Sequence, residues 1–445
     1  MELDKAPRRY LLFIFFNVIS WQCIVGPVLI LLARKVAMPP SWVGFLISFL
    51  PLSTLMVVLT VPLVTRLGSK RLMMTTWLVR NCLASTVFLM PWAMGLWGKQ
   101  AGWLVLLTAT LAFCIVRAIG SGAWFPWLHE VVPEAQRGRY FSAEASVTQA
   151  VSVAVAFGQG FYLRGDPNVN HYLVIYGVGI SSGLFSLLWM SRVPGGRAIP
   201  QAGSPWASFG AYKSALSDFA FLRFVATAAL CFSALAWTSA SLVMFMRDAL
   251  GLSSRSIMLI MATGSGGILL TIRAWGRFAD HSGSGHAMFL SLTGHALTVC
   301  ACALLRPHAP WAAPLMVPLV ILFNIFNAAY VVAANRAMLN LVREEGRIAY
   351  TSLWTMGTAL ALGATPVAAG IVIDAYALWG FRTCFLVSAL AGLAGGFASL
   401  IFVTDGLPFR RTMTDLLNPV LPVRTVARII WITAGMHPSN RPGKA

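Results

Sequence analysis

Charge is what this chain has least of. Only 11% of its 445 residues are Asp, Glu, Lys or Arg, against about 25% in a typical soluble domain. Within that small set acids are scarcer still: 14 Asp and Glu stand against 33 Lys and Arg, a formal net charge of +19. The chain is 58% hydrophobic with a mean hydropathy of +0.74. A soluble fold cannot hide that much apolar surface, so the solvent for most of it is lipid. The basic residues fall mainly between apolar runs, where an anionic membrane surface accounts for them better than nucleic acid does.

Several chemistries lack their residues. No G-x-x-x-x-G-K-[ST] loop occurs, so nucleotide hydrolysis is not the driver, and His129-Glu130 has no second His to complete a zinc-protease motif. All seven cysteines (Cys23, Cys82, Cys114, Cys231, Cys300, Cys302 and Cys384) sit inside apolar runs. They read as small hydrophobes, and Cys300-x-Cys302 lacks zinc-finger spacing. An enzyme, a metal and a resident cofactor are therefore not expected.

What is present is a set of long apolar runs. A spanning helix needs about 20 such residues, and twelve are expected: 10–32, 42–65, 72–96, 103–127, 143–163, 172–190, 221–245, 255–275, 287–305, 313–335, 350–373 and 381–403. The first follows Arg8-Arg9 as a signal peptide would, but it is as long as a span and has no clear small-x-small cleavage site. It is kept as span 1. A count of ten or eleven is the alternative, because only 306–311 separates spans 9 and 10.

The polar gap Val132–Ser142 recurs 210 residues later as Val342–Ser352. Aligned without a gap, the two share Val132/Val342, Glu134/Glu344, Arg137/Arg347, Tyr140/Tyr350 and Ser142/Ser352. Gly68 and Gly283, after other apolar runs, echo each other at an offset of 215. A repeat of half the chain implies two pseudo-symmetric six-helix bundles, an all-α integral membrane protein. The bundles are expected at 1–190 and 221–404, with a breaker-rich cytoplasmic linker at 191–220 containing Pro194-Gly195-Gly196. A basic tail follows at 405–445. Its stretch Val423–Ile432 reads either as an amphipathic helix on an anionic leaflet or as a partly disordered tail.

The loops carry a resemblance. Gly276, Asp280 and Gly283 stand where the major facilitator superfamily has the G-x-x-x-D-R-x-G-R-[RK] loop between helices 8 and 9. The first copy keeps Gly68, Lys70 and Arg71 but has Thr65 in place of the acid. Arg117 followed by Gly120 and Gly122 resembles that superfamily's helix-4 arginine motif with an altered glycine register. The helix-5 antiporter motif G-x-x-x-G-P is absent, since no proline follows Gly158-x-Gly160. The resemblance covers about residues 5–404. It implies a secondary transporter of a small solute working by alternating access; the alternative is a transport-inactive sensor or scaffold on the same fold. A monomer in a plasma or cell inner membrane is expected, with solute and bilayer as its partners and no nucleic acid.

In that superfamily helices 1, 4, 7 and 10 line the central cavity, which implies a lining role for Asn17, Arg117, Trp237, Asn324 and Asn327. Packing by interhelical hydrogen bonds is the competing reading for the amides, and His295, on a peripheral helix, reads as packing. Arg80 and Arg117 stand roughly 12 and 15 Å from the same interface, on neighbouring helices, with no carboxylate at i±3 or i±4. Either Arg117 pairs with loop acids and Arg80 with carbonyls, or at least one arginine binds an anionic substrate. For gating, Asp280 is expected to meet Arg277 or Arg347 across the cytoplasmic rim, where Arg71 and Arg137 belong to the first copy and Glu144 substitutes for the missing acid. No acid lies near mid-span; Glu144 and Asp374 sit near opposite ends. Proton coupling is therefore expected to be weak or absent, or else to run through Glu144.

Orientation follows from counting Lys and Arg. With the N-terminus inside, 22 of the 33 fall on the cytoplasmic side. Eight fall opposite (Arg34, Lys35, Lys99, Arg164, Arg247, Arg255, Arg306 and Arg382), and Arg80, Arg117 and Arg223 lie within spans. Both termini are predicted to be cytoplasmic. Reporter fusions after Lys99, Arg164 and Arg306 should read external, and those after Gly195 and Thr404 cytoplasmic; an external C-terminus contradicts both the orientation and the span count.

Overall fold

A computed structural model describes residues 5–133, 137–165, 167–197, 213, 215–306, 309, 311–342 and 347–403. The expected tail and most of the expected linker lie outside the described residues, as do the side chains of Thr65, Arg137 and Arg347. Twelve helical segments cross the molecule in alternating directions. We number them α1 (Ala6–Lys35), α2 (40–67), α3 (Ser69–Trp97), α4 (Lys99–Ser121), α5 (Arg137–Tyr162), α6 (Val169–Ser191), α7 (Phe219–Ala249), α8 (Ser254–Ser282), α9 (Ser284–Ala303), α10 (Ala312–Leu341), α11 (Arg347–Tyr376) and α12 (Leu378–Phe402). Eleven are long and apolar enough to cross a membrane. The twelfth, α5, is more polar, carrying Arg137, Arg139, Glu144, Gln149 and Gln159.

The packing repeats with the sequence. In the first half α1 lies on α5 and α6, α3 on α4 and α6, and α2 on α4; in the second, α7 lies on α11 and α12, α9 on α10 and α12, and α8 on α10. Every pair of the first set becomes a pair of the second when six is added to each number. Side chains follow suit. Tyr10 of α1 packs edge-on to Tyr140 of α5 at 6.3 Å, and Phe221 of α7 meets Tyr350 of α11 at 4.7 Å. The partners in those pairs are 211 and 210 residues apart, the spacing of the sequence repeat.

The two halves meet along α2 with α11 and along α5 with α8. Small residues let the first pair close: a Cβ on Gly44 would strike the Pro366 main chain, and one on Gly370 the Pro40 main chain. The apolar core at the end remote from the termini is shared, joining Val28 and Leu31 of the first half to Met244, Phe245 and Ile373 of the second. At the end bearing the termini there are two separate cores. One is built from residues between Tyr10 and Val193, the other from residues between Ala215 and Val403. The halves are thus fused at the far end and separate at the terminal end.

Two expectations need correction. Span 4 does not run to Trp127. The helix stops at Ser121, and Trp127 lies in a short helix, Trp124–Val131, fully buried against Tyr10, with Nε1 donating to Pro194 O at 2.9 Å. A core donor with a satisfied bond has no need of the interface. Gly276 and Asp280 are not in a loop, because α8 runs unbroken to Ser282. Only Gly283 turns the chain.

Gly68 and Gly283 do the same job in each half. Each precedes the next helix with φ near +82 and +86° and ψ near 152 and 153°, a region essentially restricted to glycine. Gly283→Ala should therefore cost about 1–3 kcal/mol and lower the thermal unfolding midpoint in detergent. Gly276→Ala is the control, since a Cβ there meets nothing within 4 Å; equal losses in both variants would contradict this assignment.

Candidate functional site

Asn17, Arg80 and Arg117 come together in the interior of the first half, on α1, α3 and α4. Arg80 is 1% exposed. Its Nη2 donates to Asn17 Oδ1 at 2.7 Å, and the same oxygen accepts Trp77 Nε1–H at 3.0 Å. The Arg80 guanidinium lies over the Trp77 ring at 4.1 Å and near the Phe113 ring at 5.1 Å, while its Nε–H finds no acceptor. Arg117 lies over the Trp21 ring of α1 at 4.3 Å. It makes no hydrogen bond or ion pair with a described residue. The two cations are close enough to repel each other, and no carboxylate figures among the charges acting on either.

Of the two readings of the sequence, the one that pairs Arg80 with carbonyls is not what is found. Arg80 is held by a side-chain amide and two aromatic faces rather than by backbone carbonyls. Arg117 reaches no described acid; the loop acids Glu134 and Glu344 lie outside the described residues. Glu130, the described acid of the 122–133 segment, accepts Gly196 N–H at 2.7 Å instead. The stacking aromatics were missed, although their spacing was visible: Trp21 is four residues after Asn17, Trp77 three before Arg80 and Phe113 four before Arg117, each on the same helix face as its partner.

The residues of the second half do not join this group. Asn324 donates its Nδ2 to Val320 O of its own helix at 2.9 Å and lies against Gly264 of α8; the bond is within α10, not the interhelical one expected. Asn327 and Trp237 are partly buried, and their side chains make no hydrogen bond with a described residue. His295 is fully buried and bonded through Nε2 to Ser388 Oγ at 2.8 Å, again as packing.

The expected gate at the terminal rim is also arranged differently. Asp280 pairs with Arg336 of α10 at 3.0 Å, and Arg336 Nη1 donates to Ser284 Oγ of α9 at 2.9 Å. The link ties α8, α9 and α10 within one half, because Arg336 lies across a helix contact whereas Arg277 points outward. Arg277 and Arg71 are exposed, with no ion pair to a described residue. Lys70, not Arg71, anchors the first copy by donating to Ser191 O and Val193 O at the end of α6. Glu144 is partly buried, with Oε2 unpartnered.

Among the described residues, the polar contacts that cross between the halves lie at the far end. Arg34 Nε stands 2.9 Å from Asp248 Oδ2, an ion pair not aligned as a hydrogen bond. Asp374 Oδ2 accepts Ser41 N–H at 2.8 Å, with a carboxylate of α11 at the N-terminus of α2. Tyr172 OH and Ser254 Oγ meet at 2.8 Å.

Asn17→Ala leaves both Trp77 Nε1 and Arg80 Nη2 without an acceptor, at about 1–3 kcal/mol for each orphaned buried donor. Thermal unfolding should fall clearly for Asn17→Ala and little for Asn17→Asp, which keeps the acceptor. Equal stability of Asn17→Ala and the unaltered protein would remove Asn17 from this role.

Residues 225–433 match the family model described as Major Facilitator Superfamily. No curated protein matches the sequence. Among solved structures, a mutant of the nucleoside transporter NupG aligns over 89% of this chain and 100% of its own, with TM-score 0.69 and 15% identity. A bacterial homologue of the human lysosomal transporter Spinster, in an inward-facing and unoccupied conformation, aligns over 91% and 99%, with TM-score 0.66 and 14% identity. A bacterial metal transporter aligns over 91% and 100%, with TM-score 0.61 and 15% identity. Identities this low establish the shared fold, not a shared substrate. The chain thus shares the fold of these membrane transporters over about nine-tenths of its length, and its second half is similar to the Major Facilitator Superfamily.

Proposed function

We propose that the protein is a secondary transporter that carries a small organic anion by alternating access between its two six-helix halves. The observation that carries this reading is the pair of the buried Arg80 and the partly buried Arg117, neither with a carboxylate partner among the described residues. A buried arginine costs on the order of 3 kcal/mol on insertion scales, and two cost more when they repel. Proteins do not hold such charge idle, and an anionic ligand supplies the missing counter-charge.

Alternating access is supported by the uneven joining of the halves. The far end is held by Arg34 with Asp248, by Asp374 at the α2 N-terminus and by a shared apolar core, while the terminal end keeps two separate cores. With the terminal end on the cytoplasmic side, as the Lys and Arg count expects, the arrangement is inward-facing. Arg71, Arg137, Glu144, Arg277 and Arg347 border the terminal rim and would approach one another as it closes, with Gly68 and Gly283 at the turns and Asp280 held by Arg336.

Arg117→Lys keeps the charge but loses the forked geometry, and Arg117→Gln loses both. In proteoliposome counterflow with a panel of labelled organic anions, both variants should fold, with uptake reduced about tenfold or more in each, and further for Gln. Normal uptake in both defeats the anion reading. If Arg117→Gln does not fold, Arg117→Lys alone decides it by the same comparison.

A further inference from the structure

The anion reading leaves the ligand's charge number open, and the electrostatics around the two arginines address it. We propose that the site takes a compact dianion of the phosphate-monoester class, bound chiefly by the first half of the protein; this rests on the anion reading above. The charge balance comes first. Arg80 and Arg117 lie on neighbouring helices around Trp21, Trp77 and Phe113, and neither forms an ion pair with a described acid. A monoanion would leave one positive charge uncompensated at mid-membrane depth, whereas a dianion leaves none.

Donor geometry comes second. Trp77 and Phe113 flank Arg80, and Trp21 covers a face of Arg117. The covered faces direct a ligand toward the N–H edges. Arg80 Nε–H is unspent and the Arg117 fork has no described partner. A terminal phosphate group, with three acceptor oxygens on one atom, can take forked bonds from two closely spaced guanidiniums at once. On α7 and α10 of the opposite half, no described residue facing this level is a cation. Trp237 and Asn327 offer a ring, an indole N–H and an amide, which suit an uncharged organic body.

Phenyl phosphate is a suitable probe because its own charge can be set. Its second ionisation falls near pH 6, so it is mainly a monoanion at pH 5 and a dianion at pH 8. The titratable side chains sharing this neighbourhood are Cys114 on α4, Cys23 on α1 and Tyr176 on α6. Such groups ordinarily titrate above about pH 8. Phenyl sulfate, a monoanion at both pH values, reports any titration of the protein itself.

The experiment is calorimetric titration of the purified protein in phosphatidylcholine nanodiscs. Phenyl phosphate should bind about tenfold more tightly at pH 8 than at pH 5, the ratio of its dianion fractions at the two pH values. Phenyl sulfate should bind weakly and alike at both. Asn17→Asp, which places a carboxylate beside Arg80 while keeping its acceptor, should abolish the gain at pH 8, and so should Arg117→Gln. If phenyl sulfate binds as tightly as phenyl phosphate at pH 8, the dianion is wrong and the anion reading stands. If neither binds, or if binding ignores both substitutions, both readings fall. Adding phosphatidate to the nanodiscs separates the sources of the same headgroup chemistry. Competition assigns the site to a lipid phosphomonoester, and its absence to a water-soluble one; either result keeps the dianion.

Discussion

Two like charges held in a medium that cannot solvate them are the constraint around which the first half is arranged. In water the repulsion between Arg80 and Arg117 would be slight, but at membrane depth it is not. Among the described residues, no carboxylate pairs with either of them. Asn17 turns its carbonyl oxygen toward Arg80 and is itself fixed by Trp77 Nε1. Three aromatic rings present their negative faces to the guanidiniums. Dipoles and ring faces lower the cost of the charges without cancelling them. A counter-acid would stabilise the resting protein more, but it would occupy the position of the proposed anion.

The same economy of acid appears at the far end, where the few carboxylates are put to use between the halves. Asp248 and Asp374 both belong to the second half, and they hold Arg34 and the N-terminus of α2 in the first. These contacts are not deeply buried and are individually weak. Their force comes from the apolar core behind them and from glycines that let α2 and α11 approach main chain to main chain. Weak polar links over a close, small-residue contact make a joint that can open without leaving a buried charge stranded.

Much of this was legible in the residues. The half-chain repeat returned as matched helix pairs and as the two aromatic contacts of Tyr140 and Tyr350, because a repeated sequence must bury the same faces in the same way. Gly68 and Gly283 were found by their offset, and their positive φ explains why glycine stands there. The partner of Asp280 was not legible. Arg336 is 56 residues away on another helix, and only the crossing of α8 and α10 brings it near. Nor was the support of the arginines, since a search for carboxylates at helical spacing passes over the tryptophans at that same spacing. In lipid, aromatic faces and amides take over work that acids do in water-soluble proteins.

The account's central claim is that the two halves rock about a joint that alternates between the far end and the terminal end. Spin labels placed at Arg71 and Arg277, both exposed and in different halves, measure the terminal opening directly once Cys82 and Cys300 are replaced. Breaking the far-end pair by Asp248→Asn should shift the distance distribution between the labels toward shorter values, because a joint released at one end closes at the other. A distribution that is single and unmoved by that substitution, in protein that remains folded, would contradict alternating access about this joint.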